Sequence, residues 1–140
     1  TYILGNASFT VVCPDRYDYE EENNRSLGIQ LTDSSHSFLI LGDVQSKSES
    51  AMLNENLDLS ADVYMVSHHG SASSSTEKFL RAVHPAFAVI SVGADNDYGH
   101  PAQKTLSRLE AQDIQILRTD LSGTITAYST PDTLTWSTGR

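Results

Sequence analysis

Apolar and polar positions alternate in blocks along this chain, and the blocks predict short strands separated by helices. Phe9–Cys13 reads as a strand ended by Pro14. Leu27–Thr32 and Phe38–Leu41 are apolar runs on either side of a polar turn at Asp33–Ser37, which is a hairpin pattern. Ala61–Ser67 contains the unbroken run Val63-Tyr64-Met65-Val66, and Phe87–Val92 is a second such run. Continuous apolar runs of this length suit strands covered on both faces. Ile114–Leu117 predicts a short strand. Gly123–Tyr128 alternates, with Ile125 and Ala127 on one face, and Leu134–Trp136 predicts an edge strand.

Helix signals fall between the strands. Ser46 precedes Glu49 by three residues, a capping-box spacing, and predicts a helix to about Asn54. Ser74 and Glu77 repeat that spacing and predict a helix over residues 75–83, stopped by Pro85. Pro101 suits the first position of a third helix. Ala102, Leu106 and Leu109 give that helix an apolar stripe. Strands, three strand–helix units and further strands make an α/β protein, with helices packed on a mixed sheet. The acidic stretch Asp15–Arg25 reads as an exposed loop.

Composition then narrows the function classes. The 140 residues suit one compact domain or a large piece of one, and 39% apolar content is enough for an ordinary core. Nine basic against 18 acidic residues give a net charge of −9. That argues against a basic domain gripping nucleic acid by phosphate neutralisation. It leaves room for an enzyme acting on a phosphodiester, because bound divalent metals supply local positive charge. The single cysteine, Cys13, excludes an intrachain disulfide and a Cys-rich zinc site, and reads as a small buried apolar residue. The longest apolar stretch, Ala86–Val92, is far below the ~20 residues that span a bilayer. No basic-then-apolar leader opens the chain, and its strand-like start at Thr1 suggests a piece of something longer.

The chemistry-bearing residues sit where apolar runs end, which is where α/β sheets collect polar groups. One run ends Leu39-Ile40-Leu41-Gly42-Asp43. Another ends Met65-Val66-Ser67-His68-His69-Gly70-Ser71. A third ends Ser91-Val92-Gly93 and continues through Asn96 to Tyr98-Gly99-His100-Pro101. If these strands are parallel neighbours, one carboxylate and three imidazoles converge on one rim. Asp43 at a strand mouth is either a turn or cap residue, or a metal ligand able to bridge two ions. His68 and His69 are adjacent, so an extended backbone would point them to opposite sides, one toward a metal and the other toward substrate or a supporting bond. His100 is either the N-cap of the third helix or a substrate contact or proton donor. Arg118, in Arg118-Thr119-Asp120, either binds a phosphate with its forked donors or forms a local salt bridge. Tyr98 either lines a pocket or packs. His36 and His84 read as structural, and the serines at 71 and 73–75 as a capping loop rather than a nucleophile.

Taken together, Asn24-Arg25-Ser26-Leu27, Leu39–Asp43, Ala61-Asp62-Val63, Ser67–Ser71, Val89–Gly93, Asn96, Tyr98–Pro101, Arg118–Asp120 and Gly123 resemble the metallo-β-lactamase-like domain of the ComEC competence-protein family and its stand-alone hydrolase relatives. The resemblance covers about Phe9–Tyr128. It implies a four-layer αββα sandwich and a two-metal hydrolytic site using zinc or manganese. By this resemblance Asp43 is the bridging metal ligand and His69 a metal ligand, with His68 and His100 catalytic and Arg118 a substrate contact. Asn24 and Ser26 fall where related enzymes often place a histidine ligand. The superfamily's main ligand motif, His-x-His-x-Asp-His or His-x-Asp-x-Asp-His, is missing. Residues 1–140 are therefore expected to be a single-domain fragment, the C-terminal part of the domain, metal-poor and inactive alone. The implied partners are DNA or another phosphodiester, the missing N-terminal half, a membrane channel in the same polypeptide, and a second copy through exposed sheet edges. The implied location is outside the cytoplasm of a bacterium, as part of a membrane protein or secreted. A non-catalytic module that guides DNA, and a hydrolase of a small ester such as a choline phosphodiester or a lactam, stay open as rivals.

Overall fold

The computed structural model describes residues 1–33 and 35–140; Ser34, within the turn expected at Asp33–Ser37, lies outside the described residues. Seven strands form one sheet in simple sequence order: β1 (Tyr2–Leu4), β2 (Ala7–Cys13), β3 (Gly28–Asp33), β4 (His36–Ile40), β5 (Val63–Met65), β6 (Phe87–Ile90) and β7 (Gln115–Arg118). The first four pair antiparallel, and β4 through β7 pair parallel. Helices α1 (Ser46–Asn54), α2 (Glu77–Val83) and α3 (Gln103–Glu110) make the crossovers. Because the parallel strands advance in one direction and crossovers are right-handed, all three helices lie on one face. A short helix α4 (Thr119–Ser122) leads to a separate two-stranded sheet, β8 (Ile125–Ser129) and β9 (Leu134–Thr138). The strand expected at Leu134–Trp136 is thus an edge of its own hairpin rather than of the main sheet.

The core lies between the helices and the parallel strands. Leu39, Tyr64, Ala88 and Ile90 from the sheet meet Met52, Phe79, Leu80, Val83 and Leu109 from the helices, all buried. Each large side chain removed from water here contributes about 1.5–3 kcal/mol. Register places a different set on the opposite face: Tyr2, Phe9, Leu31 and Phe38 lie in one row across β1–β4, with Val11, Ile29 and Ile40 beside them. The β8–β9 hairpin packs on this face where Trp136 lies 5.1 Å from Phe87 between ring centres, and it touches the start of β4 through His36 and Ser129. The β1–β4 side keeps Tyr2, Leu4, Val11 and Ile40 exposed. An apolar sheet face without a covering layer is unusual for a sheet packed on its other side.

Helix starts depart from the local capping pattern. The N-cap of α1 is Gln45, and Ser46 and Glu49 do not cap one another. Instead Asn24, fully buried, accepts hydrogen bonds on Oδ1 from Gln45 N and Ser48 N, each at 3.2 Å. Glu49 turns inward and its carboxylate accepts from Ser75 N, Thr76 N and Thr76 Oγ1, tying α1 to the start of α2. For α2 the cap is Thr76, whose Oγ1 accepts from Phe79 N, two residues later than expected. α3 begins at Gln103 with Ala102 as N-cap, so Pro101 precedes the helix and His100 does not cap it. The segment 15–25 is not a simple exposed loop either. Tyr19 and Asn24 are buried, and residues Glu22–Arg25 form a 3-10 turn.

Candidate functional site

Parallel pairing of β4, β5 and β6 brings three strand-end loops to one rim, and their polar side chains meet there. Asp43, His68, His69, Tyr98 and His100 line one cleft of about 250 Å³ together with Asn23. Asp43 Oδ1 and His69 Nε2 lie 3.6 Å apart, and both side chains are about half exposed. The rings of His68 and His100 are 5.8 Å apart, and Tyr98 lies 5.9 Å from His100. The loop after β7 does not join them in the same way. Arg118 is forked onto Asp120, with Nε–Oδ1 at 3.1 Å and Nη2–Oδ2 at 2.6 Å.

The His68–His69 doublet is presented by a turn, not by an extended strand. Both residues are left-handed, with φ of 52° and 53°. The expectation that they diverge to opposite sides therefore fails, because the curled backbone sends both rings into one cleft. Each left-handed non-glycine residue costs about 1–2 kcal/mol. The surroundings hold the turn in place. His68 N donates to Gly42 O at 3.0 Å, and Ser71 N donates to His68 O at 2.9 Å. Ser74 Oγ donates to Ser67 O, and Thr105 Oγ1 to Ser71 O. Gly70 closes the turn at φ 83°, with Ala102 N donating to its carbonyl; a Cβ there would stand 2.7 Å from Pro101 Cβ. Strain of this kind over-determined by its neighbours is characteristic of sites rather than of scaffolding. The serines of this loop act as that scaffold, since Ser67, Ser74 and Ser75 are buried and hydrogen-bonded.

Proton positions follow from the partners. His69 Nδ1 lies 2.7 Å from Ser91 O, and a carbonyl only accepts, so Nδ1 carries a proton and Nε2, the nitrogen turned toward Asp43, is the one able to offer a lone pair in the neutral ring. This is how a metal-binding imidazole is usually oriented. The 3.6 Å gap to Asp43 is too long for a hydrogen bond. It is close to the ligand–ligand edge of about 3.4 Å expected for a tetrahedral shell with ~2.1 Å bonds. Asp43 and His69 thus fit two positions around one divalent cation. Among the described residues, no group of three or more His, Cys, Asp or Glu is clustered to hold one. Asn23 Nδ2 donates to His68 Nε2 at 3.4 Å. The Nδ1 atoms of His68 and His100 are buried without a hydrogen-bond partner beside the cleft. Burial first, and then the neighbouring His68 and His69, hold the His100 imidazole below its ordinary pKa, which favours its neutral form.

Two nearby residues have roles that the sequence did not reveal. Asn23 enters the cleft from the segment read as an acidic loop, and the signal was the Asn23-Asn24 doublet that follows the acids. Ser26 sits under the site and accepts on Oγ from Asp43 N at 3.2 Å. Its neighbour Asn24 caps α1 rather than facing the cleft. His36 bonds Ser129 Oγ at 2.8 Å, tying β4 to the hairpin, and His84 ends α2 in a left-handed C-cap. Cys13 is buried, and burial pushes its thiol up to about 12.

The fold and cleft define a mixed α/β chain with an Asp/His cluster on the carboxyl rim of its parallel strands. No family model matches it. Over 122 residues, 87% of its length, it is 38% identical to ComE operon protein 3 of Bacillus subtilis. It is 34% identical over 118 residues to competence protein ComA of Neisseria gonorrhoeae, and 30% identical over 117 residues to recombination protein 2 of Haemophilus influenzae, in each case across 84% of the chain. These relatives support a competence-protein family. The chain spans only 15–17% of their length. All are bacterial. Among the described residues, no helix is long and apolar enough to cross a membrane.

Proposed function

We propose that this chain is the site-bearing part of a metal-dependent phosphodiester hydrolase that serves DNA uptake. The observation that carries this reading is the Asp43–His69 pair, held at metal-sharing distance on a strained turn. In this reading Asp43 and His69 hold a divalent cation, zinc or manganese, since carboxylate and imidazole serve both. Such a cation, when bound, activates water at neutral pH and polarises a phosphate oxygen. His69 keeps its lone pair on the cleft by donating to Ser91 O. His68 and His100 face the phosphate, with His100 kept neutral and able to accept a proton. Arg118 reaches substrate only by leaving Asp120, so its first task in this account is to shape the loop. The names of the competence-protein relatives supply the biological direction, DNA uptake competence in bacteria, and the family resemblance supplies a place outside the cytoplasm.

The bare apolar face of β1–β4 supports the four-layer αββα architecture. A second sheet continuing the β8–β9 layer would cover Phe9, Leu31 and Phe38, and would bring further ligands toward the cleft. The test is cleavage of a DNA oligonucleotide by the protein that carries this sequence, with manganese or zinc. Activity lost in Asp43→Ala is expected; activity retained in that variant overturns the assignment.

A second reading rests on the ligand count. With two candidate ligands among the described residues, the cleft also suits a module that holds DNA for a neighbouring membrane channel without cutting it. DNA binding that persists with no metal-dependent cleavage would favour this reading.

A further inference from the structure

Beside the Asp43–His69 pair, the loop from Ser91 to His100 encloses a second, less polar cleft of about 200 Å³, walled by His69, Val92, Gly93, Asn96, Tyr98 and His100. Tyr98 stands at its lip with 83% of its surface exposed, its ring nearly parallel to His100 at 23°. Tyr17 is nearly as exposed, so exposure alone does not single Tyr98 out; its place on a wall shared by both clefts does. The loop does not leave it loose. Asn96 Nδ2 donates to Gly93 O at 2.9 Å and to His100 O at 2.7 Å, and His100 N donates back to Asn96 Oδ1 at 3.0 Å. Gly93 leaves the opposite wall open, with nothing within 4 Å of where a Cβ would stand. His69 and His100 line both clefts, so a group lying on this shelf is adjacent to whatever the Asp43–His69 pair holds.

We propose that Tyr98 and its shelf stack one unpaired nucleobase of the substrate strand, next to the phosphodiester in the main cleft. This inference rests on the phosphodiester reading and names the form of its substrate. Charge favours it: at −9, the chain gains little from tracking a phosphate backbone, so a short footprint must draw on base stacking instead. Stacking on an aromatic face tolerates any base. A base inside a duplex is already stacked, so the shelf selects single strands, frayed ends and gaps.

The test uses the protein that carries this sequence, with two oligothymidylates that differ only in one abasic position at the binding register. Binding is read by fluorescence anisotropy in an Asp43→Asn background, and cleavage in the native background. Tyr98→Ala should weaken binding of the intact strand about tenfold and leave the abasic strand unchanged, while Tyr98→Phe should bind like the native protein. Base-dependent binding that Tyr98→Ala removes, with no cleavage by the native protein, would keep the shelf and refute the hydrolase. Cleavage with equal affinity of Tyr98→Ala and native protein for the intact strand would refute the shelf and keep the hydrolase. Equal weakening toward both strands would also refute it.

Discussion

Two polar clusters lie on either side of the loop that follows β5, and they differ in how completely they are satisfied. Around Glu49, both carboxylate oxygens accept from Ser75 or Thr76, three bonds in all, and Tyr64 bonds Ser67 and Ser75 beside it. Around Asp43, the contacts are longer, the side chains are half open, and two imidazole nitrogens have no partner. The first cluster is a joint between α1 and α2. The second has chemistry to spare. The Glu49 carboxylate is matched by donors and serves the fold, whereas the Asp43 and His69 side chains stand half open at the cleft, available to a ligand.

Substitution should separate the two clusters most sharply through activity. Asp43→Ala should reduce metal-dependent phosphodiester cleavage by at least about 100-fold while changing stability by less than ~1 kcal/mol, read by cleavage kinetics and urea unfolding. Glu49→Ala should do the opposite. It strands one buried and two part-buried donors and should cost about 2–4 kcal/mol, seen as a fall in the urea midpoint. If Glu49→Ala folds normally, the joint has been misread. Next in size is Gly70→Ala, where both the positive φ and the contact with Pro101 oppose a side chain. A loss of about 2–3 kcal/mol is expected, again from urea unfolding.

Much of this contrast was legible in the chain itself. Unbroken apolar runs at Val63–Val66 and Phe87–Val92 announced the central strands, and polar residues placed at the ends of such runs announced the rim. Asp43, His68, His69 and His100 were found this way because strand ends are local features. What stayed hidden depended on contacts distant in sequence. Glu49 had the spacing of a local capping box, but its carboxylate does more when buried against residues 75 and 76, and Asn24 caps α1 from 21 and 24 residues away. The left-handed conformation of His68 and His69 had only a weak residue signature, since histidine is enriched at positive φ but most histidines do not adopt it; Gly70 was the clearer mark of the turn. Arg118 offered two readings that differ by one neighbour, and Asp120 decides which contact it makes.

Smaller effects sharpen the comparison further. His68→Gly should relieve left-handed strain and stabilise the protein by about 1 kcal/mol while impairing the site, a gain in stability measured by urea unfolding alongside a loss of cleavage. The smallest effect belongs to Asp120. Arg118 holds its carboxyl below the ordinary range, so the pair's contribution is present above the unfolded-state carboxylate pKa near ~3.9 and is lost as pH falls through the lower folded value. Asp120→Asn should therefore lower stability slightly at neutral pH and flatten the acid limb of a stability–pH profile, the two proteins converging below the folded-state value.

The central claim is that Asp43 and His69 share a cation. Calorimetric titration of zinc and of manganese into the protein that carries this sequence tests it directly, in the native form and in His69→Ala. The account predicts saturable binding that weakens by about 10–100-fold or more when His69 is removed. Equal affinity in the two proteins would contradict it.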